Sequence, residues 1–526
     1  MRVCDKLAGI LIILTGIVLL YLWCLNPEFR TLYVGEPFVD ANQFIPGKNF
    51  KEQGFIKLHF TADYAVGPEE YHPFYYTHNP PLSEIINGIY QRLGLVRIEW
   101  QRLVAILWTL LSFVFFYKMI KLLVGPREAL FALIFLITNP YILYWGDNLF
   151  ASHQLMFVFM SLYFFLKHIR CSSQRFLAAA WATFFCAAFS NYELILLIAF
   201  FAIGLKLFRL EKYPRRSLLF FLMAPFIAFC LRNILVIWAI GFQGWFRDLI
   251  EIFLHRTWAI ETQFNEIYKE LPIILWVPHP ELPKNYLWLL YLRLENIYGY
   301  GWSMLFIALF FPSVRRFLLP AGEGKRLFLI ICLFFIMGVA WYLLFPQQTS
   351  EHFHSHTMLL FFPFASLMWG VTLIGVWHNM KHKLLKIIGV IIVIGAVAGA
   401  RIQNFIPPRP FPGIEALPKY KGKVFCTNAI PTLISYYTHM PAAFCGYDYQ
   451  FRDLMEGHYY FFLRTDRLPT PRPEFFLSVY GWGKDELEQH FSLIEEGKDY
   501  SIYRLQQKSD MLTHDVVTTG ESEGKE

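Results

Sequence analysis

Charge is scarce in this chain. Only 17% of its 526 residues are Asp, Glu, Lys or Arg, whereas 56% are hydrophobic and 19% aromatic. A soluble domain of that length needs a more polar surface, so the shortage excludes the ordinary globular class and indicates a polytopic membrane chain. Cysteine supplies no framework either. Eight are present, most of them in or beside apolar runs, with no C-x-x-C pair and no metal-finger spacing. Cys426 and Cys445 share a more polar region, 19 positions apart; they form a disulfide in an oxidising compartment or stay as two buried thiols. A Gly-rich nucleotide-phosphate loop is missing. So is an internal repeat, which tells against transporter folds built from duplicated halves. No small-residue cleavage site follows the first apolar run, so that run is expected to remain as a span.

About eleven runs are long enough to cross a hydrocarbon core of ~30 Å. They cover approximately 7–25, 101–123, 128–145, 149–166, 175–189, 193–208, 217–240, 302–320, 327–345, 357–377 and 385–400. The net charge of +7 is concentrated in short connectors between them: "KHIRCSSQR" (167–175), "KLFRLEKYPRR" (206–216), "SVRRFLLPAGEGKR" (313–326) and "HNMKHKLLK" (378–386). Such loops orient helices rather than bind nucleic acid, and they face the cytoplasm together with the N-terminus. The opposite face then carries the long segment 26–100, the turn at Asp147, the segment 241–300 and the stretch from about 401.

That outer face holds the chemistry. In the first long segment, "THNPPLSEIINGIYQRLG" begins polar, halts at Pro80–Pro81 and then spaces Leu82, Ile85, Ile86, Ile89, Tyr90 and Leu93 on one helical face. The spacing predicts an amphipathic interfacial helix over 81–94, too short to span, with its apolar side in lipid or against the bundle. Segment 241–300 mixes Trp, Phe and Ile with His255, Arg256 and Lys269, as interfacial anchors do. After the proline-rich "FIPPRPFPG", strand-like "KVFCTN", "AAFCGYDY" and "KDYSIYRLQ" flank a helical "AIPTLISYYTH". A small external α/β domain is expected over 401–507, followed by a polar tail, 508–526, read as disordered.

Ionisable groups collect at the outer ends of the runs. Asp40 lies in "GEPFVDANQF" and Asp147 in the short turn "YWGDNLF"; each alone reads as a solvated turn residue more readily than as a catalyst. Arg232 sits inside the seventh run, where an unpaired cation is costly and usually functional. "TSEHFHSHT" sets His352, His354 and His356 before the tenth run. Those histidines serve as a polar cap, as ligands to a divalent metal, or as contacts to phosphate or substrate at a positive helix end. Carboxylates that remove a proton and cations that hold a phosphate are what group transfer from a polyprenyl phosphate to a hydroxyl requires.

These stretches resemble the GT-C glycosyltransferases, in particular the branch of protein O-mannosyltransferases and lipid A aminoarabinose transferases. The H-x-P-P-L entry at His78, "YWGDNLFASHQLMFVFMSLYFFL", "FSNYELILLIAFF" and "EHFHSHTMLLFFPFASLMWG" carry the likeness, in family order, over roughly residues 1–400. It implies a helical GT-C-like membrane module over 1–400 that moves one sugar from a polyprenyl-phosphate donor to a glycan, lipid or protein acceptor, with inversion. Asp40 takes the place of the general base and Asp147 the second acidic position. His78, Glu193, Arg232, Arg256, His352, His354 and His356 form the set expected at substrate and phosphate. Two departures stand out: Asp40 is followed by Ala41-Asn42 rather than a second acid, and Asn191 replaces the Lys common before Tyr-Glu. The competing class is a lipid-linked-sugar transporter, which needs polar residues along the bundle midplane rather than at its rim. Absence of an N-x-Ser/Thr sequon accords with a bacterial inner membrane.

Overall fold

The computed structural model describes residues 2–25, 36–67, 80–139, 145–191, 193–257, 362–379 and 382–403, and in the C-terminal part 415–427, 431–440, 442–444, 459–464, 491–497 and 500–505. A few isolated positions (73, 75–77, 328–330, 332–333, 336 and 413) complete the set. The chain forms two compact units, Met1–Phe411 and Pro412–Glu526.

The first unit is helical. Its elements are α1 (Arg2–Leu25), α2 (Glu36–Gln53), a two-residue strand pair β1 (Ala62–Asp63) and β2 (Tyr75–Tyr76), α3 (Leu82–Arg92), α4 (Ile98–Leu123), α5 (Pro126–Ile137), α6 (Ala151–Cys171), α7 (Gln174–Ser190), α8 (Glu193–Leu207), α9 (Arg215–Thr257), α10 (Phe362–Asn379) and α11 (Lys383–Gln403). Among the described residues, three stretches are long and apolar enough to cross a membrane: Val3–Leu25, Ile98–Leu123 and Arg215–Ile250. The expected count of eleven spans is not confirmed among the described residues, and the runs at 302–320 and 327–345 fall almost wholly outside them.

Two boundaries differ from the sequence reading, each for a local reason. The run 128–145 is not one helix, since α5 ends at Ile137. Pro140 follows closely and disfavours helical backbone at the residue before it. The seventh run, in contrast, continues past 240. Helix α9 reaches Thr257 but breaks at Gly241, whose φ of 75° and ψ of 168° only glycine adopts without strain.

The core of this unit is aromatic. Phe113, Phe116, Phe159, Phe165, Phe184, Phe201 and Phe221 are buried in one cluster, and Phe165 stacks on Phe221 with centroids 4.3 Å apart. Small residues let helices approach. A Cβ on Gly370 of α10 would lie 2.6 Å from the backbone nitrogen of Ala132 on α5, the close crossing that glycine permits between apolar helices.

Along α4 the two ends differ in chemistry. Lys121 and Tyr117 bond Asp5 of α1, at 2.6 and 2.9 Å. Arg102 lies 19 residues away, about 28 Å at 1.5 Å per residue. Its partners belong to the site below.

The second unit has a mixed five-stranded sheet in the order β4-β3-β5-β7-β6. Its strands are β3 (Val424–Thr427), β4 (Ala442–Phe444), β5 (Tyr459–Arg464), β6 (Phe491–Glu496) and β7 (Tyr500–Leu505), with α12 (Pro431–Thr438) between β3 and β4. β3 runs parallel to β4 and β5, and β7 antiparallel to β5 and β6. Phe425, Ile434 and Ile502 are buried in it. Strands β5 and β6 had no counterpart in the sequence reading. Cys445 lies outside the described residues, and with it the Cys426–Cys445 disulfide.

Candidate active site

Asp40 does not sit in a loop. It belongs to α2, a helix the sequence hid behind Pro46 and Gly47, which read as breakers. Tertiary contacts hold that helix. Asn49 Nδ2 donates to the carbonyls of Asp63 and Ala65, at 2.7 and 2.9 Å. A Cβ on Gly47 would stand 3.0 Å from the Asn87 backbone of α3, so the two helices cross closely there.

Three consecutive residues of the turn before α6 form a cradle. Asn148 Nδ2 and Leu149 N–H both donate to Asp40 Oδ1, at 2.9 and 2.8 Å. Asn148 Oδ1 meanwhile accepts from the N–H groups of Phe150 and Ala151, each at 2.9 Å, closing the start of α6. One asparagine thus fixes both the helix entry and the carboxylate. Asp147 takes Arg102 of α4, whose Nη2 lies 2.7 Å from Asp147 Oδ2, while Arg102 Nε lies 3.7 Å from Asp40 Oδ2. Asp40, Arg102 and Asp147 are 6%, 1% and 2% exposed. The structure brings together the two acidic residues singled out in the sequence and joins them through an arginine that sequence reasoning missed. The signal was present: an arginine inside the first turn of an apolar run, at the end where the positive-inside pattern places none.

Helix α3 starts after Pro81, without a side-chain cap. Its orientation is informative. Ser83, Glu84, Asn87 and Gln91, the polar face, are buried against the protein, whereas Ile89 and Leu93 are 45% and 74% exposed. Ile89 and Leu93 point away from the protein, Leu82 and Ile85 pack on Ala188 and Phe189 of α7, and the polar edge faces α2. Gln91 Nε2 donates to the Phe44 carbonyl of α2 (3.1 Å), and Gln43 Nε2 to Glu84 Oε1 (3.1 Å). Burial pushes the Glu84 carboxyl up to about 7, against the opposing effect of bonds from Gln43 and Tyr64.

Arg232 is placed apart from this cluster. Its guanidinium donates to Asp248 Oδ2 (3.3 Å), to Asn233 Oδ1 (2.8 Å) and to the Thr77 carbonyl. Thr77 Oγ1 donates to Asp248 Oδ1 at 2.6 Å. The arginine thereby ties the two limbs of α9 across the Gly241 break to the segment leading into Pro80–Pro81. His78, His352, His354 and His356 lie outside the described residues, and nothing is described of the side chains of Glu193 and Arg256, on α8 and α9. Among the described residues, no group of three or more His, Cys, Asp or Glu is arranged to hold a metal ion.

Residues 78–238 match the family model described as dolichyl-phosphate-mannose-protein mannosyltransferase. The match covers less than a third of the chain. It begins at the H-x-P-P-L entry and includes Glu84, Arg102, Asp147, His153 and Arg232, but stops short of Asp40. The resemblance drawn from the motifs is met over this segment, which is similar to a glycosyltransferase family. No curated protein sequence matches the chain. Among solved structures, the chain is similar to the oligosaccharyltransferase of Archaeoglobus fulgidus in the apo form (13% identity, TM-score 0.47), covering 83% of this chain and 64% of that one. It is also similar to the archaeal oligosaccharyltransferase AglB from Archaeoglobus fulgidus in complex with an inhibitory peptide and a dolichol-phosphate (12% identity, TM-score 0.48), covering 92% and 72%.

Proposed function

We propose that the chain is an integral-membrane glycosyltransferase. It moves a single sugar from a polyprenyl-phosphate donor to a hydroxyl-bearing acceptor at the extracytoplasmic face of a bacterial inner membrane. The observation that carries the reading is the Asp40–Arg102–Asp147 constellation, buried at the end of α4 remote from Lys121. The family match over residues 78–238 supports the donor class.

In this reading Asp40 is the general base. Its Oδ1 is occupied by Asn148 and Leu149, which fixes the plane of the carboxylate, and Oδ2 takes the acceptor's hydroxyl proton as that oxygen attacks the anomeric carbon. The polyprenyl phosphate departs from the opposite side, so the configuration inverts. Arg102 and Asp147 hold the base in register rather than exchange protons. The gain is one of positioning, since a carboxylate displaced by an ångström loses most of its advantage. Proton transfer by a placed side chain contributes typically ~10²–10⁴-fold.

The test is direct. Wild type and Asp40→Asn, purified in detergent, are incubated with radiolabelled polyprenyl-phosphate sugars and membrane extract. The expected result is product with wild type, a loss on the order of 10²–10⁴-fold with the variant, and donor binding unchanged. Turnover that survives the substitution overturns the base assignment. Donor bound by both proteins with no product from either shifts the reading to a transporter of lipid-linked sugar.

A further inference from the structure

Two adjacent residues of α3 reach both supports of the Asp40 carboxylate. Ser83 Oγ lies 2.8 Å from His153 Nε2 on α6. The imidazole's other hydrogen bond is to the Leu149 main chain, and the Leu149 N–H is one of the two donors to Asp40 Oδ1. Glu84, next in sequence, accepts from Gln43 Nε2 at 3.1 Å and from Tyr64 OH at 3.5 Å. Gln43 stands three residues from Asp40 on α2, on the same helix face. Ser83 thus reaches the first turn of α6, which follows the turn that holds Asp40, and Glu84 touches the helix that carries it.

Four buried side-chain oxygens of α2 and α3 have no hydrogen-bond partner among the described residues, and two of them, Glu84 Oε2 and Gln43 Oε1, belong to side chains that already touch. They are the second oxygens of two side chains already joined through Gln43 Nε2. A proton on Glu84 Oε2 supplies the missing donor and completes a cyclic acid–amide pair with two hydrogen bonds. An ionised Glu84 offers only acceptors, and among the described residues it would be a buried charge with no cation against it. The surroundings agree. Tyr64 faces it from the connector after α2, Asp40 lies one turn away on α2, and His153 stands behind Ser83 on α6. The α7 side packs Ala188 and Phe189 against Leu82 and Ile85, and Arg92 at the far end of α3 lies over the Phe55 ring.

We propose that Ser83 and Glu84 are positioning residues for Asp40, with Glu84 acting as a neutral carboxylic acid paired to Gln43, so that the interfacial helix sets the geometry of the base. The inference rests on Asp40 being that base. It makes α3 part of the catalytic support rather than a lipid anchor, and it explains why the polar face of α3 is turned inward.

Glu84→Gln is the informative variant, because a second amide donates to Gln43 Oε1 and accepts from Gln43 Nε2 in the same way. Full-length wild type, Glu84→Gln, Glu84→Ala and Ser83→Ala are compared by infrared spectroscopy of the protonated-carboxyl C=O stretch on either side of pH 7, and by transfer kinetics. Wild type should show a protonated-carboxyl band that Glu84→Gln lacks. Glu84→Gln should keep kcat within about threefold of wild type, whereas Glu84→Ala and Ser83→Ala should lose ~10–100-fold in kcat with little change in donor KM. Loss of kcat in Glu84→Gln equal to that in Glu84→Ala overturns the proposal, because an ionised carboxylate is then required. So does an infrared spectrum in which wild type and Glu84→Gln coincide, or a fully active Glu84→Ala. A band present in wild type and lost in Glu84→Gln, from a wild type that transfers no sugar, supports the neutral clamp and overturns the transferase reading instead.

Discussion

Arg102 offers the sharpest test of the site. It is 1% exposed and lies between two carboxylates, 2.7 Å from Asp147 and 3.7 Å from Asp40. Arg102→Met keeps the volume and the apolar stem but leaves both acids buried without their cation. Removing one partner of a buried ion pair costs about 3–5 kcal/mol, because the other charge remains desolvated. Asp147→Asn is the milder change, since Arg102 still has Asp40 and the asparagine still accepts from its guanidinium; about 1–3 kcal/mol is expected. The double variant Arg102→Met/Asp147→Asn removes one charge of each sign. Asp40 then keeps its bonds from Asn148 and Leu149. Its cost should fall short of the sum of the singles by about 1–3 kcal/mol, the coupling seen between residues that act as a pair. Chemical unfolding in detergent, followed by Trp fluorescence, gives all four corners of this cycle. Additivity within about 0.5 kcal/mol would falsify the argument that the three residues form one electrostatic unit. Arg102→Lys should not restore transfer, because a single ammonium cannot present the guanidinium fork to two carboxylates.

Three further outcomes are expected. Gly88→Ala should destabilise by about 1–3 kcal/mol through overpacking, because a Cβ there meets Phe50 Cβ at 2.8 Å and the Phe55 ring at 3.0 Å; an unchanged unfolding midpoint would contradict the close α2–α3 crossing. Glu84, raised from 4.5 to about 7, binds its proton more tightly in the folded state. Its contribution of roughly 3 kcal/mol is therefore complete below pH 4.5, and it fades as pH rises toward 7; Glu84→Gln should remove that slope from unfolding midpoints measured across the window. Finally, Arg256→Ala and a triple His352, His354, His356→Ala variant should each raise donor KM by about 10-fold with kcat changed less than threefold, as measured by transfer against donor concentration.

Much of the site was legible, though not its geometry. Asp40 and Asp147 stand out as acids at the ends of apolar runs, and α3 follows from Pro80–Pro81 and its 3–4 spacing. What no pattern revealed is that α2 is a helix, because Pro46 removes an internal hydrogen bond and Gly47 weakens the helix locally. The stabilisation comes from partners far along the chain, Asp63, Ala65 and Asn87. The direction of α3 was likewise hidden. An amphipathic pattern defines two faces but not which one is inside, and in a lipid setting the polar face can be the protein-facing one. Arg102 escaped notice because its importance depends on Asp40, 62 positions away in the chain, a pairing that only the fold creates.

The charge balance of the cluster constrains where a donor phosphate can lie. Among the described residues, two ionised carboxylates and one guanidinium leave it one negative charge in excess, held in a buried setting where like charges repel strongly. A phosphate next to Asp40 would face that excess with Arg102 already engaged, and Arg232, the other buried arginine among the described residues, is engaged by Asp248 and the Thr77 carbonyl. In the proposed reaction, the cations that neutralise the departing polyprenyl phosphate are therefore expected elsewhere on the same face. Arg256 and the 352–356 histidines are the groups that the sequence offers there. Such a division puts the base and its supports on α2, α4 and the turn before α6, and the leaving-group cations on later segments. An in-line displacement has the same requirement, with attack and departure on opposite sides of the anomeric carbon. Loss of a later cation should then weaken donor binding while leaving the Asp40 cradle intact, and loss of the cradle should do the reverse.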